Sequence, residues 1–192
     1  MRDVSGNVGI VGLVLAGGRG QRMGGVDKGL QPWQGRPLAL HVLDALRPQV
    51  SRLMISANRH LDAYAAFGHP VLPDPPGLAF AGPLAGMLAG LQALPDDAWL
   101  LTAPCDGPHL PADLAARLLH AAEPHGLAFA QAAREHPTHA LLHTRWREPL
   151  AAHLQAGGRA VLRWMREQPH GVARFDDEAA FANLNHLADI QA

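Results

Sequence analysis

Residues 13–28 read Leu-Val-Leu-Ala-Gly-Gly-Arg-Gly-Gln-Arg-Met-Gly-Gly-Val-Asp-Lys. An apolar stretch runs directly into a turn dense in glycine, with Arg19, Arg22 and Lys28 along it. Glycine lets a backbone come close to a ligand and adopt positive φ without a Cβ clash. Successive exposed N–H groups then cradle an anion, while guanidinium and ammonium groups add full positive charge. This chemistry suits the phosphates of a nucleoside triphosphate. The alternative is a glycine-rich hairpin or surface loop; the placement of Arg22 and Lys28 behind an apolar strand favours phosphate.

Two common phosphate loops fail on counting. A Walker loop requires Gly-Lys-Ser/Thr, and here Lys28 lies between Asp27 and Gly29. A dinucleotide fingerprint requires G-x-G-x-x-G, and Gly18, Gly20 and Gly24 leave one residue too many before the last glycine. The complement to the cationic turn is a carboxylate. Asp106 follows the apolar run from Ala98 to Pro104, which aims it at a strand's carboxyl end. It is the best protein ligand for a Mg²⁺ ion shared with phosphate oxygens and water. A helix N-cap role fails on spacing, because the next helix is expected near Pro111. Cys105 has no assignable activating base and reads as a packed strand-end residue. Twelve histidines raise the question of zinc. His136, His139 and His143 approach helical spacing, but Pro137 interrupts it and no cysteine cluster helps, so no zinc site is expected.

These residues need elements to position them. Apolar segments at Val8–Ala16, Arg52–Ala57, Val71–Pro73, Ala98–Pro104, Leu127–Ala132, His139–His143 and Val172–Phe175 read as strands. Helical spacing after Pro37, from His60 to Phe67, after Pro83, from Pro111 to Glu123, from Trp146 to Gln155 and from Ala160 to Glu167 fills the intervals. The alternation predicts an α/β protein with three αβα layers: a mostly parallel, Rossmann-like sheet with helices on both faces. In such sheets ligands bind beyond the carboxyl ends of the strands, near a switch in strand order. The glycine-rich turn, Ser56-Ala57-Asn58, Asp74 and Asp106 all follow strands in that sense.

The 192 residues suit one domain. Sixteen Lys and Arg against seventeen Asp and Glu leave the chain nearly neutral, which disfavours nucleic acid as a partner. One cysteine excludes an internal disulfide framework. Residues 1–12 lack a signal-peptide pattern, and no apolar run reaches the length of a membrane span, so a cytoplasmic protein is expected.

The pattern L-A-G-G-x-x-x-R-M-G-x-x-K resembles the signature loop of nucleotidyltransferases that join a nucleoside monophosphate to a phosphorylated acceptor. The run Gly24 to Leu30 is similar, more narrowly, to the molybdenum cofactor guanylyltransferases. Pro104-Cys105-Asp106, Gly82-Pro83-Leu84-Ala85-Gly86-Met87 and Asn183-Leu184-Asn185 match further segments of that family. The resemblance implies transfer of GMP from GTP to molybdenum-molybdopterin with Mg²⁺, and a single domain with a nucleotide half over about 8–110 and an acceptor half over about 111–185. It implies nucleotide contacts from the backbone of Leu15, Ala16, Gly17 and Gly18 and from Ser56, Asp74 and Gly82. Arg22, Lys28 and Asp106 would be catalytic, with Asp106 on the metal.

Ser56 stands where some members carry asparagine, and a hydroxyl lacks the amide's paired donor and acceptor. Asn58 is kept as a structural or loop-ordering residue. Asp74 reads equally as a nucleotide contact or as part of an Asx-type turn beside Pro73, Pro75 and Pro76, and the role of Asp27 stays open. If residues 183–185 form a strand, Asn183 and Asn185 share a face toward the metal or acceptor phosphate. His136-Pro137-Thr138 also recurs in the family, on its acceptor side. Arg159, Arg163 and Arg166 read as acceptor-phosphate ligands or as a solvated helix face. Molybdoenzymes, their chaperones and other cofactor-biosynthesis proteins are the implied partners. The alternatives are a sibling using CTP or a sugar-phosphate acceptor, a nucleotide-binding regulator without turnover, and a module that delivers cofactor to a partner enzyme.

Overall fold

A computed structural model describes residues 9–18 and 26–184. Nine strands and six α-helices follow one another along it. They are β1 Ile10–Leu15, β2 Pro32–Trp33, β3 Arg36–Pro37, α1 Leu38–Leu46, β4 Arg52–Ser56, α2 Leu61–Ala65, β5 Val71–Leu72 and α3 Pro83–Gln92. After these come β6 Trp99–Pro104, α4 Leu114–Ala122, β7 Leu127–Gln131, β8 Glu135–His143, α5 Arg147–Gln155, α6 Val161–Arg166 and β9 Gly171–Arg174. Seven strands form one sheet in the order β5-β4-β1-β6-β8-β7-β9, and β2-β3 form a separate hairpin. Within the large sheet only the pairings of β8, with β6 and with β7, are antiparallel.

Strand β1 is buried along its whole length, as a central strand covered on both faces must be. Side chains alternate across it. Val14 joins Ile55, Leu101 and Leu141 under α1 and α4, where Leu43, Leu46, Leu114 and Leu118 complete one core layer. Leu13 and Leu15 face the other way, against Leu84, Met87, Leu88 and Leu91 of α3, with Leu150 and Leu154 of α5 and Trp164 of α6 beside them. The two layers make the expected three-layer α/β arrangement. Among the described residues no helix is long and apolar enough to cross a membrane.

Several boundaries differ from the sequence reading. Helix α4 starts at Leu114 rather than Pro111, because residues 111–114 close a turn in which Leu114 N–H donates to Pro111 O. Strand β8 begins at Glu135, four residues earlier than expected. Its partner β7 shifts register between Phe129 and Ala130, so Phe129 faces Ala140 while Ala130 faces His136. Pro137 falls opposite that irregularity, where its missing N–H breaks no ladder bond. The β2-β3 hairpin was not anticipated; Gln34 and Gly35 turn it with positive φ at both positions, the geometry of a tight hairpin. Ala182, Asn183 and Leu184 follow a single 3₁₀ turn, Ala179–Phe181, without entering a strand. The alternate-face argument for Asn183 and Asn185 therefore has no strand beneath it over the described part of that segment.

Candidate functional site

Strand β1 lies between β4 and β6, so the chain leaves it toward one side and later returns on the other. Such a reversal opens a crevice at the carboxyl ends. The tips are in register there, with Leu15 opposite Ser56 on one side and Pro104 on the other. Ala16 N–H donates to Ser56 O at 2.8 Å, and Cys105 N–H donates to Leu15 O at 3.1 Å. The backbone after β1 is thus fixed against both neighbours before the glycine-rich turn begins.

Lys28, at the start of a 3₁₀ turn over Lys28–Leu30, places Nζ 2.6 Å from Asp106 Oδ2. The pair spans 78 residues of chain. The two side chains are 20% and 15% exposed, shielded enough to strengthen the attraction yet open to a ligand. Asp106 supplies a hard anionic oxygen, the donor that Mg²⁺ prefers. Among the described residues no group of three His, Cys, Asp or Glu side chains could hold a metal alone. A cation bound to Asp106 would take its other ligands from phosphate oxygens and water, which is how Mg²⁺ sits in many nucleotide sites.

The opposite wall is built around Gly17. A Cβ there would lie 3.0 Å from Asn58 Nδ2, 3.7 Å from Ser56 Oγ and 3.9 Å from Asp74 Oδ1, so glycine is what allows these groups to converge. Asn58 Nδ2 donates to Asp74 Oδ2 at 2.7 Å and to Gly17 O at 3.3 Å, while its Oδ1 accepts from Asp74 N–H at 2.9 Å. Phe80 N–H donates to the same Asp74 oxygen at 2.8 Å from a left-handed backbone, φ 58°. Burial pushes the Asp74 carboxyl above its ordinary range, and the Asn58 and Phe80 hydrogen bonds oppose it. Asp74 therefore ties the 74–80 loop to Asn58, the arrangement of a turn-stabilising aspartate, while its carboxylate also borders Gly17. Ser56 is 1% exposed. Gly18 O accepts a long bond from Arg59, 3.5 Å.

On the far side of Asp106, Leu184 N–H donates to Asp106 O at 2.9 Å. Asn183 Oδ1 and His139 Nε2 both pack over Gly107, 3.4 and 3.5 Å from where its Cβ would stand. His139 is 1% exposed, and among the described residues neither ring nitrogen has a hydrogen-bond partner. Burial takes its pKa down to about 3, with His136 adding to the effect. Gly82 precedes α3 with φ 90° and sits beside the Arg159 carbonyl rather than at the Lys28–Asp106 pair. Arg159 Nη1 is engaged by the carbonyls of Leu154 and Gly158. Arg163 pairs with Glu167 and Arg166 with Glu135, as residues of a solvated face do. Arg22 and Asn185 lie outside the described residues.

Burial and the neighbouring Asp106 and Asp27 charges push the Cys105 thiol upward, so it stays protonated and packs as an apolar residue. Sequence reasoning overlooked two groups around the site. Tyr64, the chain's single tyrosine, is fully buried and donates to Asp27 Oδ1 at 2.5 Å. The signal available was a phenol in a short apolar helix, which must find a partner once buried. Trp33 of the hairpin meets His109 edge-on at 5.3 Å and braces the loop after Asp106; no short-range pattern announces that contact.

A lysine from the turn after one parallel strand meeting a carboxylate from the tip of the next marks a phosphate-handling α/β protein of the nucleotide-transferring class. Residues 12–171 match the MobA-like NTP transferase domain, and the chain belongs to that family. Curated relatives include molybdenum cofactor guanylyltransferases of Acidovorax ebreus, 50% identical over 95% of this chain and 94% of the relative, and of Cupriavidus taiwanensis, 47% identical over 95% of each. Among solved structures, molybdopterin-guanine dinucleotide biosynthesis protein A of Archaeoglobus fulgidus superposes with TM-score 0.73 at 19% identity, over 95% of each chain. The 4-diphosphocytidyl-2C-methyl-D-erythritol synthase of Anaerococcus prevotii does so with TM-score 0.72 at 11% identity, over 96% of this chain and 93% of its own. At those identities the structural likeness is one of fold.

Proposed function

We propose that this protein transfers GMP from GTP to the terminal phosphate of molybdenum-bound molybdopterin. An acceptor phosphate oxygen attacks the α-phosphorus of GTP, a new P–O–P linkage forms, and the bond to pyrophosphate breaks. The observation that carries this reading is the 2.6 Å approach of Lys28 to Asp106 at the crevice between β1 and β6. It stands beside relatives of up to 50% identity named for guanylyl transfer to the molybdenum cofactor.

In this proposal the backbone of Leu15, Ala16, Gly17 and Gly18 holds the nucleotide. Lys28, with Arg22, offsets charge on the triphosphate. Asp106 holds Mg²⁺, which when bound neutralises charge on the α-phosphate and the departing pyrophosphate. Ser56, Asp74 and Gly82 bound the nucleotide, and Asn183 and Asn185 are assigned to the metal or acceptor phosphate. Transfer needs no protein nucleophile, because alignment and fixed charge supply most of the rate. The fold alone does not choose the base, since an enzyme named for a cytidyl product shares it; guanine follows from the close relatives. The product passes to molybdoenzymes, their chaperones or other cofactor-biosynthesis proteins, and the setting proposed is the cytoplasm.

The test is pyrophosphate release with molybdenum-molybdopterin, Mg²⁺ and each of GTP, CTP, ATP and UTP in turn. GTP alone is expected to support turnover. Preference for CTP would move the chain to the sibling activity, and GTP binding without pyrophosphate release would make it a regulator.

A further inference from the structure

Lys28 must reach Asp106 from the end of a segment rich in glycine, a residue with no side chain to pack. Something has to fix its backbone. The phenol of Tyr64 on α2 touches the chain on both sides of Lys28. It donates to Asp27 Oδ1 at 2.5 Å, and a Cβ on Gly29 would collide with its hydroxyl oxygen. Gly29 also backs onto Cys105, whose Cβ would lie 3.3 Å from such a substituent. Residues 27 and 29 are thus held between α2 and the tip of β6, the strand that carries Asp106.

The anchor is well buried. Tyr64 is fully covered and Asp27 is 9% exposed. The Tyr64 ring meets Phe67 edge-on at 5.7 Å, which fixes where the hydroxyl points. Gln31 Nε2 donates to Asp27 O at 3.2 Å, closing the turn from the other end. Burial, the Cys105 sulfur and Asp27 all push the Tyr64 phenol upward, so it remains a donor at any working pH. Asp27 makes no side-chain cap to its own 3₁₀ turn. Its carboxylate is turned to the tyrosine instead.

We propose that Tyr64 is a positioning residue for nucleotidyl transfer, setting Lys28 by holding Asp27 through a hydrogen bond and Gly29 through contact. The inference rests on the proposed reaction, in which Lys28 meets the triphosphate. Because Tyr64 acts through Lys28, its loss has consequences only while Lys28 is present.

The experiment is a double-mutant cycle between Tyr64→Phe and Lys28→Ala, read both as GMP-transfer turnover and as GTP binding by calorimetry with Mg²⁺. Tyr64→Phe keeps the ring and removes the hydroxyl, and with it both the bond to Asp27 and the oxygen that abuts Gly29. It is expected to lower kcat about tenfold to a hundredfold, the scale of a misplaced catalytic contact. In the Lys28→Ala background the same change is expected to add less than about twofold in either readout, the mark of two groups acting as one unit. Asp27→Asn, which still offers an oxygen to the phenol, is expected to lose less than Asp27→Leu. Equal effects of Tyr64→Phe with and without Lys28 would overturn the proposal and leave the tyrosine a packing residue. A wild-type protein that binds GTP but transfers nothing would defeat the proposed reaction, while the binding cycle would still decide the role of Tyr64.

Discussion

Replacing Lys28 by alanine tests the contact on which the site turns. At 2.6 Å the Coulomb attraction of Lys28 and Asp106 is about 6 kcal/mol at an effective dielectric constant of about 20. Desolvation of two groups that are 20% and 15% exposed offsets much of it. Exposed ion pairs contribute below about 1 kcal/mol and the loss of one partner of a buried pair costs about 3–5 kcal/mol, so this half-shielded pair belongs near 2 kcal/mol, roughly 4–8 °C in Tm for a chain of this size. In the proposed reaction the catalytic effect is larger, because the lysine's charge would act where the triphosphate rearranges: about a hundredfold to a thousandfold in turnover.

The two effects separate experimentally. Without its lysine, Asp106 keeps an uncompensated charge that Mg²⁺ can neutralise, so added Mg²⁺ should restore the Tm of Lys28→Ala by more than it raises that of the wild type. Pyrophosphate release measures the first effect, and thermal melts with and without MgCl₂ measure the second. Turnover within about threefold of wild type, against the loss expected for a transition-state contact, would remove Lys28 from the reaction. A Tm that ignores Mg²⁺ would refute the claim that lysine and metal address the same carboxylate.

Two further outcomes follow from the walls of the crevice. Asn58→Ala removes three hydrogen bonds, to Gly17, to the Asp74 carboxylate and from the Asp74 amide; it should cost about 1–3 kcal/mol and raise the KM for GTP more than it lowers kcat, and an unchanged KM would show that this wall does not touch the nucleotide. His139 is buried with its pKa down at about 3, so between pH 6.5 and 3 the unfolded chain takes up a proton that the folded chain refuses. Stability from this group is complete above pH 6.5 and drains away as the pH falls, with a slope of up to about 1.4 kcal/mol per pH unit. His139→Phe should flatten that acid limb in urea titrations, and an unchanged slope would mean that the ring finds a proton acceptor when folded.

The sheet was legible because each central strand announces itself. The run from Val8 to Ala16 has no polar side chain to compete for water, and Pro37 and Pro83 mark helix starts through their fixed φ. Asp106 could be placed at a strand tip from the apolar run Ala98–Pro104 ahead of it, and Lys28 from its spacing behind the glycines. Less visible was anything that depends on a partner distant in sequence. The start of β8 at Glu135, ahead of Pro137, depends on an irregularity in β7 that no local pattern announces. Asp74 looked like one of two things, and the geometry gives it the bonds of a turn residue at the edge of the Gly17 wall. Tyr64 carried no motif; its meaning arises from where α2 sets it, across 37 residues from Asp27.

The reversed strand β8 has a consequence for how such enzymes diversify. A strand laid against its neighbours' direction offers its beginning, not its end, to the crevice, and Thr102 Oγ1 grips Thr138 O there at 2.8 Å. In the proposed reaction Lys28 and Asp106, both ahead of Thr138 in the chain, serve the triphosphate, whereas the stretch from Glu135 to His139 comes from the later part of the chain and brings His139 over Gly107. If that stretch serves the acceptor, grafting it from a relative with another acceptor would leave the Lys28–Asp106 pair in place, which makes it the natural junction for chimaeras.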